Sequence, residues 1–163
     1  MAASGAVAIF HARGLTPEHR ECYDPDAERI TITKDELEKT RKLLNTAGDM
    51  RPEIIAVGCP HLSFDEIRNI ALLLESLPHE RKKELPALWL FTSRAVKEKA
   101  VEYVEIIEDY GMVIADTCMV VAPLEDHFSV MATNSGKASQ YLPSFNSQKV
   151  VFSDLQSLLT AYL

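Results

Sequence analysis

Two cysteines, Cys59 and Cys118, each follow a short apolar, β-rich run, residues 54–57 and 112–115. Thiolates gathered at one place bind soft metal ions or iron–sulfur clusters. The plainer reading of each is a small hydrophobe at a strand end. Two thiols are one short of a three-cysteine cluster, and Cys22, in the polar run Arg20-Glu21-Cys22-Tyr23-Asp24-Pro25, follows no strand and makes a poor third ligand. His61, two residues past Cys59, brings an imidazole, which suits an acid, a base or a substrate ligand, or else a loop cap. His11, Thr16 and Glu18 place an imidazole and a carboxylate in one segment, although Thr16-Pro17-Glu18 also reads as a helix start with proline at its first position. Thr133-Asn134-Ser135-Gly136-Lys137 sets short polar side chains, a glycine and a cation before a helix, a combination that either caps the helix or holds a carboxylate or phosphate at its N-terminus.

The elements that must position these groups alternate in type. Residues 6–11 and 28–33 read as strands. Thr33 with Glu36 forms a capping box for a helix to about residue 47. Residues 54–57 form a strand stopped by Gly58-Cys59-Pro60-His61. Ser63 with Glu66 then caps a helix over 64–77, whose Ile67, Ile70, Ala71, Leu74 and Leu77 share one face. Residues 88–91 and a helix over 95–110 ended by Gly111 repeat the unit, followed by a strand at 112–115. Residues 150–152, Ser153-Asp154 and a helix over 155–163 complete it. Such alternation predicts parallel strands joined by right-handed crossovers, a three-layer α/β/α domain with a mainly parallel sheet occupying residues 1–163. The loops at 11–18, 58–63, 116–118 and 133–137 all leave strands or apolar runs, so they gather at the edge where α/β sheets bind ligands.

Composition bounds the partners. Of 163 residues, 24 are acidic and 17 basic, a net charge of −7 that repels nucleic acid and anionic lipid. The basic run Arg81-Lys82-Lys83 is followed by Glu84 and reads as a solvated helix end. No apolar run approaches the roughly 20 residues of a membrane span. The start lacks the pattern of a secretory signal, and three widely spread cysteines suit reduced thiols in a cytoplasmic compartment.

Taken together, Gly58-Cys59-Pro60-His61-Leu62-Ser63, Asp116-Thr117-Cys118, Thr133-Asn134-Ser135 with Lys137, and Tyr141-Leu142-Pro143 resemble the aconitase X family, in order and spacing. His11-Ala12-Arg13-Gly14-Leu15-Thr16-Pro17-Glu18 is similar to that family's segment ending in Thr-Pro-Glu. Gly136 stands where the family pattern leads one to expect alanine. The resemblance implies the C-terminal part of the large subunit of a hydro-lyase, with an aconitase-like fold. Its substrate would be a small hydroxy acid such as 3-hydroxyproline or phosphomevalonate. It also implies an iron–sulfur cluster or iron, with Cys59 and Cys118 as ligands and a third ligand outside this chain. Thr133, Ser135 and Lys137 would lie near the substrate's anionic group, His61 and His11 would be candidates for the base, and a small swivelling subunit or domain would be the partner. The alternative is an isolated, non-catalytic α/β domain that binds a partner or a small anion.

Overall fold

A computed structural model describes residues 7–77 and 86–163. The basic run at 81–83 lies outside the described residues. Backbone contacts divide the chain into two compact units, Met1–Lys39 and Thr40–Leu163, where the sequence reads as one domain. The reason is apolar burial: no described residue of the first unit is buried, whereas the second unit holds the whole buried core.

The first unit corrects two expectations. Neither 7–11 nor 28–33 forms a strand. Ile9, Phe10, Ile30 and Ile32 are all exposed, and an alternating pattern without a paired neighbour and a buried face does not hold a strand. Pro17–Arg20 forms a 3-10 turn with proline at its start and Thr16 before it. Helix α1 (Lys34–Leu44) opens at the expected capping box: Glu36 Oε2 accepts the Thr33 N–H at 2.7 Å, and Thr33 Oγ1 accepts the Glu36 N–H at 3.3 Å.

The second unit is a five-stranded, all-parallel sheet of β1 (Ile54–Leu62), β2 (Ala87–Thr92), β3 (Met112–Ala115), β4 (Val130–Thr133) and β5 (Lys149–Phe152), in the order β3-β2-β1-β4-β5. Its helices are α2 (Phe64–Glu75), α3 (Arg94–Lys99), α4 (Val101–Glu108), α5 (Gly136–Phe145) and α6 (Leu155–Tyr162). Alternate strand residues feed two cores, as the twofold side-chain period demands. Ile55, Val57, Leu88, Leu90 and Val113 pack with Ile67, Ile70 and Leu74 of α2, Val104 and Ile107 of α4 and Leu158 of α6. Ile54, Ala56, Phe91, Met131 and Val150 face the other way, onto Ala138 and Leu142 of α5 and onto Met119 and Leu124. Helices on both faces make the three layers, and burial on both faces is why these strands read as continuous apolar runs.

Three details depart from expectation. The helix over 95–110 is two helices, parted at buried Ala100 with φ −103° and ψ 27°. Strand β4, not among the strands expected from the sequence, pairs with β1. Strand β1 does not stop at Gly58 but resumes pairing at Leu62.

Candidate functional site

From β1 the chain builds outward to β2 and β3 on one side, then crosses to place β4 and β5 on the other. The order therefore reverses between β1 and β4, the point at which open α/β sheets leave a crevice beyond their carboxyl ends. That crevice is a cleft of about 170 Å³ lined by Cys59, Pro60, His61 and Glu66 from the β1 side and by Asn134 and Ser135 from the β4 side.

The β1 wall is a bulge. Val57 pairs with Leu90 and Leu62 with Thr92, so four residues, 58–61, stand against Phe91 alone. Gly58, at φ +102°, starts it: a Cβ there would overlap the Phe91 backbone. Pro60 brings no N–H to a ladder, and the Cys59–Pro60 bond is cis. The Thr92 hydroxyl closes the bulge by donating to the Leu62 carbonyl at 2.7 Å. Bulges re-aim side chains next to functional sites, and this one turns Cys59 half outward and exposes His61.

His61 then ties this wall to the mouth of β3. Its Nε2 lies 2.9 Å from the Thr117 carbonyl oxygen. A carbonyl only accepts, so Nε2 carries the proton, and in the neutral ring Nδ1 is left with a free lone pair. Thr117 belongs to a clamped turn. Asp116, at φ +60°, donates its N–H to Thr92 O at 3.0 Å, and its carboxylate accepts both the Arg94 N–H and Nε–H, each at 2.9 Å. Hydrogen bonds from the Arg94 backbone and side chain, with smaller electrostatic shares from the Arg94 charge and then His61, hold the Asp116 carboxyl below its ordinary value of 3.8. A depressed carboxyl contributes stability above that value and loses it only as pH falls through the lower folded-state one, so the clamp is intact near neutrality.

Cys118 follows this turn and, with Cys59, lies at the carboxyl edge of the same parallel sheet. Cys118 opens a second cleft of about 350 Å³ shared with Val120, Val121, Lys137, Tyr141 and Phe145. Ser135 is the N-cap of α5, its Oγ accepting the Ala138 N–H at 3.1 Å. Thr133 is fully buried, with its Oγ1 accepting the Ser135 N–H at 3.2 Å and donating to the Met119 sulfur at 3.5 Å. Thr133 thus shapes the loop from beneath, while Lys137 is exposed. His11 and Cys22 belong to the first unit, where both line a cavity of that unit. Sequence reasoning missed the Arg94–Asp116 clamp, because Arg94 sits in an ordinary first helical turn and nothing pairs it with a residue 22 positions on.

A five-stranded, all-parallel, doubly wound sheet with helices on both faces and two clefts beyond its carboxyl edge defines an α/β domain. The chain belongs to the aconitase X family: residues 52–163 match the Aconitase X third domain, and residues 1–42 match the Aconitase X second domain. It is 44% identical over 165 residues to a phosphomevalonate dehydratase large subunit of Methanocaldococcus jannaschii, covering 98% of this chain and 40% of the relative. It is 28% identical over 169 residues to a cis-3-hydroxy-L-proline dehydratase of Pseudomonas aeruginosa, covering 97% of this chain and 29% of that one. The crystal structure of Thermococcus kodakaraensis aconitase X in its holo-form superposes with a TM-score of 0.86 at 36% identity, over 99% of this chain and 42% of that chain. The chain therefore spans about two fifths of the length of the first of these relatives.

The family suggests an iron–sulfur centre in general, and the donors present fit it only in part. Among the described residues no three His, Cys, Asp or Glu side chains converge closely enough to hold a metal ion. Cys59 and Cys118 offer two thiols on one edge, and all three cysteines are free. Anaerobic reconstitution of this chain with iron and sulfide is accordingly expected to leave less than one cluster per chain, measured by iron and sulfide analysis. A full cluster per chain that survives the Cys59→Ala, Cys118→Ala double substitution would mean that the donors lie elsewhere. No described helix is long and apolar enough to cross a membrane.

Proposed function

We propose that this chain contributes one wall of the active site to a hydro-lyase that removes water from a small hydroxy acid. The observation that carries the proposal is the hydrogen bond from His61 Nε2 to the Thr117 carbonyl, which ties the Cys59 bulge, beside the sheet's switch point, to the Cys118 turn beyond β3. Support comes also from the names of the relatives, which are dehydratases of phosphomevalonate and of cis-3-hydroxy-L-proline. The remaining three fifths of a family-length protein would supply the other walls, and a small swivelling subunit or domain would be the partner.

In this reading each residue has a limited task. Cys59 and Cys118 offer two donors toward an iron or iron–sulfur centre completed from outside the chain. Lys137, exposed beside Cys118, supplies a positive charge for the substrate's anionic group, with Ser135 and Thr133 fixing the backbone that carries it. His61 offers Nδ1 as the acceptor for a proton taken from carbon, while Nε2 stays anchored. His11 keeps its candidacy as a base only through the family segment to which it belongs. Three free thiols suit a cytoplasmic setting.

A second reading rests on the cleft around Lys137, where Val121 and Phe145 are about three-quarters exposed, 74% and 75%. An apolar rim around a cation also suits a non-catalytic domain that binds a partner or a small anion.

The readings separate in a chimera in which this chain replaces the matching two fifths of a full-length phosphomevalonate dehydratase large subunit, combined with its small subunit. Water elimination from phosphomevalonate, with cis-3-hydroxy-L-proline as the second substrate, is the expected result. A folded, assembled chimera that turns over neither would remove the hydro-lyase reading and favour the binding domain.

A further inference from the structure

The contact between His61 and the Thr117 carbonyl is one link of a closed circuit, and a single buried residue joins its two halves. Thr92 ends β2 and is fully buried, with β1 on one side and β3 on the other. Its hydroxyl donates to the Leu62 carbonyl at 2.7 Å, on the residue next to His61. Its own carbonyl accepts the Asp116 N–H at 3.0 Å, on the residue next to Thr117. From the Thr117 carbonyl the circuit returns to His61 Nε2 at 2.9 Å.

Asp116 sets the direction of that last link. Its φ of +60° turns the chain out of the β3 ladder immediately before Thr117. Outside glycine this conformation is uncommon, and aspartate and asparagine tolerate it best. The Asp116 carboxylate straps the turn to the start of α3, accepting the Arg94 N–H and Nε–H at 2.9 Å each. The Arg94 side chain is 73% exposed, so water screens that half of the strap and the backbone N–H is the firmer half. The consequence falls on the imidazole. A carbonyl fixed at Nε2 accepts only from a protonated nitrogen, which confines the neutral ring to one tautomer, and among the described residues nothing hydrogen-bonds Nδ1.

We infer that Thr92 and Asp116 are positioning residues for His61: by holding the Thr117 carbonyl against the 58–61 bulge they keep the ring in its Nε2-protonated tautomer, with Nδ1 unpartnered beside the cleft that His61 lines. Neither residue lines that cleft itself, so their influence passes through His61. The state of the ring does not depend on the hydro-lyase reading. Only its effect on turnover rests there.

The test reads the ring first and turnover second. In the whole chain, with nitrogen-labelled histidine at an alkaline pH where the ring is neutral, the separation of the two ring nitrogen shifts reports the tautomer, and the loss of one set in His61→Gln assigns it. Wild type is expected to show the wide separation of a single Nε2-protonated form. Thr92→Val keeps the shape and removes the hydroxyl, and Asp116→Gly accepts the positive φ and removes the carboxylate. Each should bring the two shifts together as the second tautomer gains population. Thr92→Ser should retain the wild-type pattern. So should Lys97→Gln, which loosens α3 from β3 elsewhere by removing the 2.6 Å bond from Lys97 Nζ to the Val113 carbonyl. In a chimera with a full-length relative, Thr92→Val and Asp116→Gly should lower kcat by roughly tenfold to a hundredfold with KM little changed, the scale of a misplaced catalytic group. In the His61→Gln background they should cost nothing further, because they act through the ring. The inference is overturned if either variant, once shown to be folded, keeps the wild-type ring shifts, if Lys97→Gln moves them as far, or if the kcat loss persists in full beside His61→Gln. A chimera inactive in every form would remove the hydro-lyase reading and leave the ring shifts to decide this one.

Discussion

Replacing Gly58 with alanine is expected to destabilise the second unit by about 2–6 kcal/mol, the combined cost of a strained backbone and a steric overlap of roughly 1–3 kcal/mol each. For a chain of this size that lowers the melting temperature by on the order of 10 °C. The backbone at Gly58 sits at φ +102°, which L side chains rarely adopt, and the added Cβ would run into the carbonyl and nitrogen of Phe91. Neither neighbour can swing aside, because Phe91 belongs to β2, its side chain is fully buried, and the strand pairs with β1 and β3. Three other glycines separate the causes. Gly14→Ala and Gly48→Ala also take on a positive φ, but open space surrounds both, so each should cost only about 1 kcal/mol. Gly111→Ala has no unusual φ, yet its Cβ would meet Leu88's carbonyl oxygen, and its own Cβ at 2.7 Å, so it should fall with Gly58→Ala. Thermal and urea denaturation of the four variants gives the ranking. Should Gly58→Ala behave like Gly48→Ala, the bulge is not held by close approach to β2, and its aim at the cleft has another origin.

The same glycine marks the limit of what the sequence could tell. Apolar runs and side-chain caps located β1, β2, β3 and β5 and the starts of α2, α3, α5 and α6, because burial on both faces and side-chain caps write themselves locally in residue type. Ser63 with Glu66 appears as expected, and of the expected Ser153-Asp154 pair Asp154 is the cap, each cap accepting the backbone N–H three residues on. The 6–11 and 28–33 segments carried the same kind of pattern, yet the described residues 7–11 and 28–33 formed no strand, since a strand also needs a neighbour and a covered face, and sequence pattern is silent about either. The course of β1 past Gly58 was illegible for a related reason. Gly-Cys-Pro-His ordinarily ends a strand, and only the Thr92 hydroxyl on the Leu62 carbonyl, 30 residues away, shows that pairing resumes. Around the candidate site, Cys59, His61, Cys118 and Lys137 stood out by type, while the contacts that arrange them, Arg94 with Asp116 and His61 with the Thr117 carbonyl, span 22 and 56 positions and belong to the fold.

That second contact supports the largest functional effect expected here. His61→Gln in the whole assembly, with this chain in its place in a full-length relative, should reduce kcat by roughly 10²- to 10⁴-fold, the usual contribution of a positioned general base. Glutamine is the informative substitution because its amide can still donate to the Thr117 carbonyl, keeping the Cys59 bulge tied to the Cys118 turn, while it offers no group that takes up a proton near neutral pH. The melting temperature should therefore change little. His61→Ala should lose turnover to a similar extent, and also loosen the 58–61 and 116–118 segments, seen as faster amide exchange at both. Proton uptake by imidazole further predicts that the wild-type kcat profile falls on its acid side with a single ionisation, since protonated Nδ1 cannot act as a base, and that this limb is absent from the residual activity of His61→Gln. A variant that keeps the wild-type rate and the wild-type acid limb would reduce His61 to an anchor for the Thr117 carbonyl. If instead His61→Gln lowers kcat but retains the limb, the ionisation belongs to another group, and the base has to be sought in the part of the enzyme this chain does not contain.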